Sequence, residues 1–281
     1  IVAMARWFVA TRGRALSIAG LGFSFGEAIL PLTFVALMTV LDWRVLWVIA
    51  AGIALLGIPV LYRLLQTERT PQSMASETPR YGMKARNWTR HETLRHPLFW
   101  FMVPALLGPS AFNTAFFFNQ AYFAEIKGWT HLSLVALFPI YTMISVAAMI
   151  ASGWALDRWG TARLIPFYQL PMVLGFLCFA FGTSFGIMVL GLVFLALTNG
   201  SNATLPAAYW ADFYGTKFIG SIKAMAAAVM VLGSAIGPLI TGTMIDSGVG
   251  LETQYIGVAA FFVFTSGMMA VGVRRYMSDL A

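Results

Sequence analysis

The sequence predicts an all-α protein that threads a membrane many times. Three observations carry that expectation: the composition, the spacing of the apolar runs, and the placement of the basic residues. Hydrophobic residues make up 59% of the 281 and charged residues only 10%, against roughly 25% charged in an ordinary soluble domain. Such a chain cannot cover a water-facing surface. A helical span takes about 20 consecutive apolar residues, so the length holds several spans.

Eight segments meet that requirement, at 15–40, 44–64, 98–119, 132–154, 164–181, 185–208, 222–245 and 255–273, each bounded by charges, prolines or glycines. Residues 1–5, followed by Arg6-Trp7-Phe8, read as the exit of a further helix. One hydrophilic stretch is long. Residues 66–96, rich in Thr, Ser, Pro, Arg and Lys, read as a flexible, solvated linker. Two spans precede it and six follow, so a protein built of equal halves is expected to have its first helices missing.

The net charge of +7 and pI near 9.8 do not point to nucleic acid, because the basic residues are scattered between apolar runs. They sort by side instead. If loops alternate across the membrane, one side collects Arg6, Arg12, Arg14, Arg63, Arg69, Arg80, Lys84, Arg86, Arg90, Arg95, Arg158, Arg163, Lys217, Lys223, Arg274 and Arg275. The other side has Arg44 and Lys127. Basic residues near span ends stay on the cytoplasmic side, so the linker and the C-terminus are expected there, in a bacterial cytoplasmic (inner) membrane.

The lone Cys178 provides neither a disulfide framework nor a cysteine metal site. His91, His96 and His131 fall between spans without metal-ligand spacing and read as solvated loop residues. No metal and no cofactor are expected.

Two kinds of motif stand out. The pattern G-x-A-I-x-P occurs at Gly26–Pro31 and again at Gly233–Pro238, each inside a span that follows a basic loop. Its glycines (Gly26, Gly233 and Gly237) permit close helix approach, and its prolines (Pro31 and Pro238) remove a backbone hydrogen bond and permit a bend. The second motif joins two spans through Gly153-Trp154-Ala155-Leu156-Asp157-Arg158-Trp159-Gly160-Thr161-Ala162-Arg163, of the form G-x-x-x-D-R-x-G-x-x-R. Glycine permits the tight turn there, Asp157 can accept hydrogen bonds, and Arg158 and Arg163 can pair with acids or lipid phosphates.

This second motif resembles the cytoplasmic signature of the major facilitator superfamily, in the copy between its eighth and ninth helices. The resemblance extends over the whole chain and implies two six-helix bundles. Residues 1–65 would be the remainder of the N-terminal bundle, comprising the end of the fourth helix with the fifth and sixth. Residues 66–96 would be the cytoplasmic linker, and 97–281 the C-terminal six-helix bundle. Asp42-Trp43-Arg44 is similar to the turn before the sixth helix. The resemblance implies that Asp157, Arg158 and Arg163 help lock the cytoplasmic gate when the protein faces outward, with Gly153 and Gly160 as conformational positions of the same turn. Within the superfamily, residues 7–15 and 220–246 are most similar to the monocarboxylate and oxalate/formate porter branch. That branch commonly carries a cation in the eighth helix, and 132–154 has none.

The implied function is secondary active transport of a small solute by alternating access, as symporter or antiporter, with a small organic acid as one candidate solute and a proton as the candidate coupling ion. Ionised groups are expensive in hydrocarbon, which singles out Glu27 as a proton or substrate site. Asn113, Asn119 and Gln120 in one span and Asn199 and Asn202 in another are candidates to line a midplane cavity. They serve equally as interhelical hydrogen bonds. Trp43, Trp47, Trp129, Trp154, Trp159, Tyr168 and Trp210 are expected as interfacial belts. The expected protein is a monomer in the lipid bilayer and not an enzyme. Two other classes are weighed against this reading: an integral-membrane enzyme acting on lipid, which needs clustered acids or a nucleophile, and a non-transporting sensor on the same fold.

Overall fold

A computed structural model describes residues 22, 25–26, 29–65 and 81–280. Glu27, the expected helix exit at 1–8, and 66–80 of the expected linker lie outside the described residues. The chain forms two compact units, residues 1–78 and 79–281.

In the first unit, residues 29–37 are helical and a turn at 38–41 leads into α1 (Trp43–Leu65). Asp42 Oδ1 accepts the Arg44 N–H at 2.8 Å, the short-range bond by which an Asp starts a turn. The Arg44 guanidinium lies 4.4 Å from the Trp43 ring centroid. Between Arg44 and Arg63, α1 carries no charge, and it is apolar enough to span.

In the second unit the helices are α2 (Arg90–Arg95), α3 (Pro97–Phe118), α4 (Gln120–Ile126), α5 (His131–Val135), α6 (Phe138–Trp159), α7 (Thr161–Leu164), α8 (Leu170–Phe181), α9 (Phe185–Tyr214), α10 (Ile219–Asp246) and α11 (Leu251–Tyr276). Local chemistry sets their starts. Thr89 and Glu92 form a reciprocal capping box on α2, Thr130 caps α5, and Ser184 caps α9. Five long helices and the shorter α8 pack side by side in the order α10, α3, α11, α8, α9, α6. Among the described residues, six segments are long and apolar enough to cross a membrane: Trp43–Arg63, Pro97–Phe118, His131–Trp159, Phe185–Tyr214, Ile219–Asp246 and Leu251–Asp279.

The expected span at 164–181 is broken in two. Pro166 and Pro171 have no N–H to give to the carbonyls four residues back. The backbone between α7 and α8 therefore closes tighter turns, with Phe167 N–H to Leu164 O, Leu170 N–H to Phe167 O and Met172 N–H to Gln169 O, all at 3.0 Å. Only α8 continues as an apolar helix, and it is short.

The expected solvated linker also differs over its described part, because residues 81–96 are folded. Met83 is fully buried and Trp88 nearly so. The Trp88 N–H donates to Tyr214 O at 3.0 Å, and the Lys217 N–H donates to Asn87 Oδ1 at 3.1 Å. Apolar Met83 and Trp88 bury surface that a fully polar segment would lack. His96 is correspondingly not a solvated loop residue; it is half-buried at the start of α3. Two of the expected belt residues are core instead. Trp210 is 2% exposed and Tyr168 6%, in one cluster with Phe99, Met102, Tyr209, Phe213 and Met269. Trp43, Trp47, Trp154 and Trp159 are exposed.

These contacts define two ends of the second unit. One end gathers 81–96 with the C-terminal ends of α9 and α11. At the other, Lys127 donates to Gly182 O at 3.0 Å and pairs with Glu252 in the first turn of α11.

Candidate functional site

The signature turn is built by Gly160. It caps α6 with φ +76° and ψ 160°, a region that is essentially closed to residues with a Cβ. It thereby lets α6 stop and α7 start within one residue. Gly153 has another place: it lies inside α6 and a Cβ there would meet nothing within 4 Å. Asp157, Arg158 and Arg163 are all exposed. The Arg158 guanidinium stands 5.6 Å from the Trp154 ring, one helical turn back. Among the described residues, neither Asp157 nor Arg163 has an ion-pair partner. The acid that engages the turn is Asp212 of α9, which accepts from the Thr161 hydroxyl at 2.5 Å.

Two seams of small residues lie between the long helices. A Cβ on Gly233 would come within 2.7 Å of the Leu107 carbonyl, and one on Gly237 would collide with the Ala111 carbonyl, so α10 and α3 touch backbone to backbone. Pro238 follows inside α10 without ending it. Gly200 of α9 meets α6 in the same way, against the Ser145 carbonyl. That second seam is polar: Asn199 Nδ2 donates to Ser145 Oγ at 3.1 Å, and Ser152 and Thr204 hydroxyls share a 2.6 Å bond. In the first unit, Pro31 lies in the helical stretch 29–37, and a Cβ on Gly26 would meet only Leu30 among the described residues.

A buried hydrogen-bond relay crosses the interior of the second unit. Pro109, inside α3, has no N–H, so the Ala105 carbonyl lacks its helical donor. Gln169, fully buried in the break between α7 and α8, fills that role through Nε2 and also donates to the Tyr168 hydroxyl at 2.9 Å. The Tyr168 hydroxyl lies 3.5 Å from both Ala105 O and Asn202 Oδ1. The Thr265 hydroxyl donates to Gln169 Oε1 at 3.0 Å. The broken helix is thus pinned to α3, α9 and α11 at the two places where proline has interrupted the backbone ladder.

Of the amides expected to line a cavity, Asn199 and Asn202 both have partners on neighbouring elements of the bundle. Asn119 ends α3 by donating to Ala115 O at 2.9 Å. Asn113 Oδ1 and Gln120 Oε1 are buried without a hydrogen-bond partner among the described residues, as are the Thr142 and Thr198 hydroxyls. Buried polar atoms are almost always paired, so these atoms, like His131 Nε2, Ser266 Oγ and the Tyr214 and Tyr255 hydroxyls, are among those able to receive a solute donor or water. Sequence reasoning missed Thr161, Asp212, Gln169 and Lys127. Pro109 signals an orphan carbonyl, but nothing local says that a residue sixty positions away answers it.

The family model described as Major Facilitator Superfamily matches residues 1–181. Two curated proteins are also similar, both described as multidrug resistance protein B homolog, from Mycobacterium tuberculosis strains CDC 1551 / Oshkosh and ATCC 25618 / H37Rv. Each is 31% identical over 106 residues, which is 37% of this chain and 20% of the relative. The matched stretch thus spans a fifth of the length of those relatives.

Proposed function

The chain belongs to the Major Facilitator Superfamily, and from that premise we propose that it is a secondary transporter moving a small solute by alternating access. The observation that carries the reading is the turn at Gly160. A glycine in a conformation closed to other residues holds an acid and two guanidinium groups out at one end of the bundle, and Asp157 and Arg163 have no ion-pair partner among the described residues. Charges left unpaired at an element boundary suit a partner that arrives in one conformation and leaves in another. In this reading Asp157, Arg158 and Arg163 close the cytoplasmic gate. The seams at Gly233, Gly237 and Gly200 let neighbouring helices move as rigid pairs.

Glu27 is the proton-coupling site in this proposal, since a carboxylate within a span is costly unless it serves exchange. Asn113 and Gln120 are the amides that touch the solute, and Asn199 and Asn202 shape the bundle behind them. Residues 66–96 join the two bundles on the cytoplasmic side of a bacterial inner membrane, and the working unit is a monomer. Two solute classes are separated by experiment. A small organic acid follows from the similarity to the monocarboxylate and oxalate/formate branch. A lipophilic drug follows from the relatives named for multidrug resistance, and the described interiors of α3, α6, α8 and α11, which carry no charge, favour it.

The test is uptake into proteoliposomes under an imposed pH gradient, using labelled lactate, oxalate and ethidium. Movement of any one that Asp157→Asn reduces at least tenfold supports the proposal. Movement that the substitution leaves unchanged, or none with all three probes, sinks it. Uptake that persists after the gradient is collapsed removes the coupling role of Glu27 alone.

A further inference from the structure

We propose that residues 81–96 form a proton-released latch, which holds the chain entering the second unit against the ends of α9 and α11 only while His96 is neutral.

The segment is held by specific bonds at a cost in backbone strain. Lys84 and Ala85 have φ of +57° and +48°, left-handed values that non-glycine residues rarely adopt and that persist where surrounding contacts impose them. Those contacts are on both sides of the strained pair. Gly82 lies so close to Phe213 O and Gly215 N that a Cβ would come within 2.5 Å and 2.6 Å of them. Met83 is buried and its carbonyl accepts the Trp88 Nε1–H at 3.2 Å. The Trp88 N–H in turn bonds Tyr214 O.

His96 is the keystone of this arrangement. Its ring lies 4.8 Å from Trp88, 4.6 Å from Tyr276 and 6.2 Å from Tyr214, so it bridges the segment, α11 and α9. Its Nδ1 accepts the Leu98 N–H at 3.3 Å and so caps α3. That acceptor exists only on neutral imidazole. Protonation replaces it with a donor facing the positive end of a helix, where a cation is repelled.

The charged groups around it favour the neutral ring. Burial is the largest influence lowering the His96 pKa, followed by Lys84, with Arg86 adding to it; Asp279 acts in the opposite sense. Lys84 and Asp279 are themselves paired at 3.9 Å. Tyr214 and Tyr276 are the titratable groups facing His96 from α9 and α11, Glu92 of α2 is committed to Arg86 and Thr89, and the first turn of α3 carries no charge. The sign follows: the folded pKa lies below the ordinary value of about 6.5, so the contribution is whole above that value and is lost as pH falls through the folded pKa.

Hydrogen exchange measured by mass spectrometry on the full chain in nanodiscs tests the latch. Rates are divided by the intrinsic rate at each pH. Between pH 7.5 and pH 5.0, peptides covering 81–96 should lose at least tenfold in protection, while peptides within α9 and α11 hold theirs. His96→Asn keeps a capping acceptor without the titration and should stay protected at both pH values. Lys84→Met should move the opening midpoint to higher pH and Asp279→Asn to lower pH. The proposal is overturned if 81–96 stays protected at pH 5.0, if His96→Asn opens in acid as the native chain does, or if it is open at both values.

Discussion

Glycine has different work at Gly153, Gly160 and Gly237, although all three came forward from motifs. At Gly237 an added Cβ would strike the Ala111 carbonyl, which is backbone and cannot rotate away. Gly237→Ala should therefore force α10 off α3 and destabilise by about 1–3 kcal/mol, the usual range for overpacking. At Gly153 the same change meets open space and removes the entropic cost of glycine within a helix, so Gly153→Ala should stabilise by about 0.5–1 kcal/mol. Gly160→Ala meets no atom either, yet its φ of +76° should cost about 1–3 kcal/mol. Unfolding of the three variants in mixed micelles checks the order. Equal losses at 153 and 237 would mean that the seam is not close-packed. The sequence marked these glycines as small, and the two G-x-A-I-x-P copies are enough to suggest contact. It could not tell a helix-facing glycine from an open one, because that depends on which neighbour lies opposite.

At the scale of elements, apolar run length located most of the helices, since a span needs only its own residues to be recognised. The break between α7 and α8 was hidden for the same reason. Residues 164–181 are continuously apolar apart from Tyr168 and Gln169, and only Pro166 and Pro171 hinted that the ladder fails. Tyr168 and Trp210 read as interfacial in the sequence because an amphipathic ring near a span end has the same composition whether it anchors in lipid or packs inward. The candidate site was the least legible part, since the partners of Asn199, Asn202 and Gln169 lie on other helices.

The relay through Gln169 gives a sharp prediction. Gln169→Leu removes the close donor to the Ala105 carbonyl, leaving it the Tyr168 hydroxyl at 3.5 Å, and takes the donor from that hydroxyl, at about 1–3 kcal/mol. Pro109→Ala restores an N–H within reach of Ala105 O. In that background Gln169→Leu should cost at least about 0.5 kcal/mol less, and additive losses would show that the carbonyl is not what Gln169 serves. The cap on α2 adds a pH-dependent test. Glu92 is held below its ordinary value first by the Thr89 N–H and next by the Thr89 hydroxyl. Its contribution is thus present above the unfolded value, near 4.3, and fades as pH falls through the folded one. In His96→Asn, where 81–96 stays in place at pH 5.0, fraying of α2 in hydrogen exchange should begin at lower pH than the opening of the native chain, and Thr89→Ala should bring it to higher pH.

For the whole molecule, the two ends of the second unit differ in charge as sharply as the loop pattern expects. Lys84, Arg86, Arg90 and Arg95 precede α3, Arg158 and Arg163 flank the signature turn, Lys217 and Lys223 surround the start of α10, and Arg274 and Arg275 close α11. The opposite end has Lys127, whose side chain is enclosed by Glu252 and Gly182 O. With its 30 residues, α9 is about 45 Å long at 1.5 Å per residue, against a hydrocarbon core of about 30 Å. A helix of that length crossing the bilayer places its ends in different compartments, and the bias of basic residues toward the cytoplasm predicts that the basic end faces that side. Single cysteines decide this once Cys178 is changed to Ala. Gly250→Cys precedes α11 in open space and should react with a membrane-impermeant maleimide on intact cells. Tyr81→Cys, at an exposed position of the basic end, should react only after permeabilisation. The reverse pattern would invert the assigned orientation and move the proposed gate at Asp157 and Arg163 to the outer face. Labelling of both in intact cells would mean that α9 does not cross, and the transport proposal would fall with it.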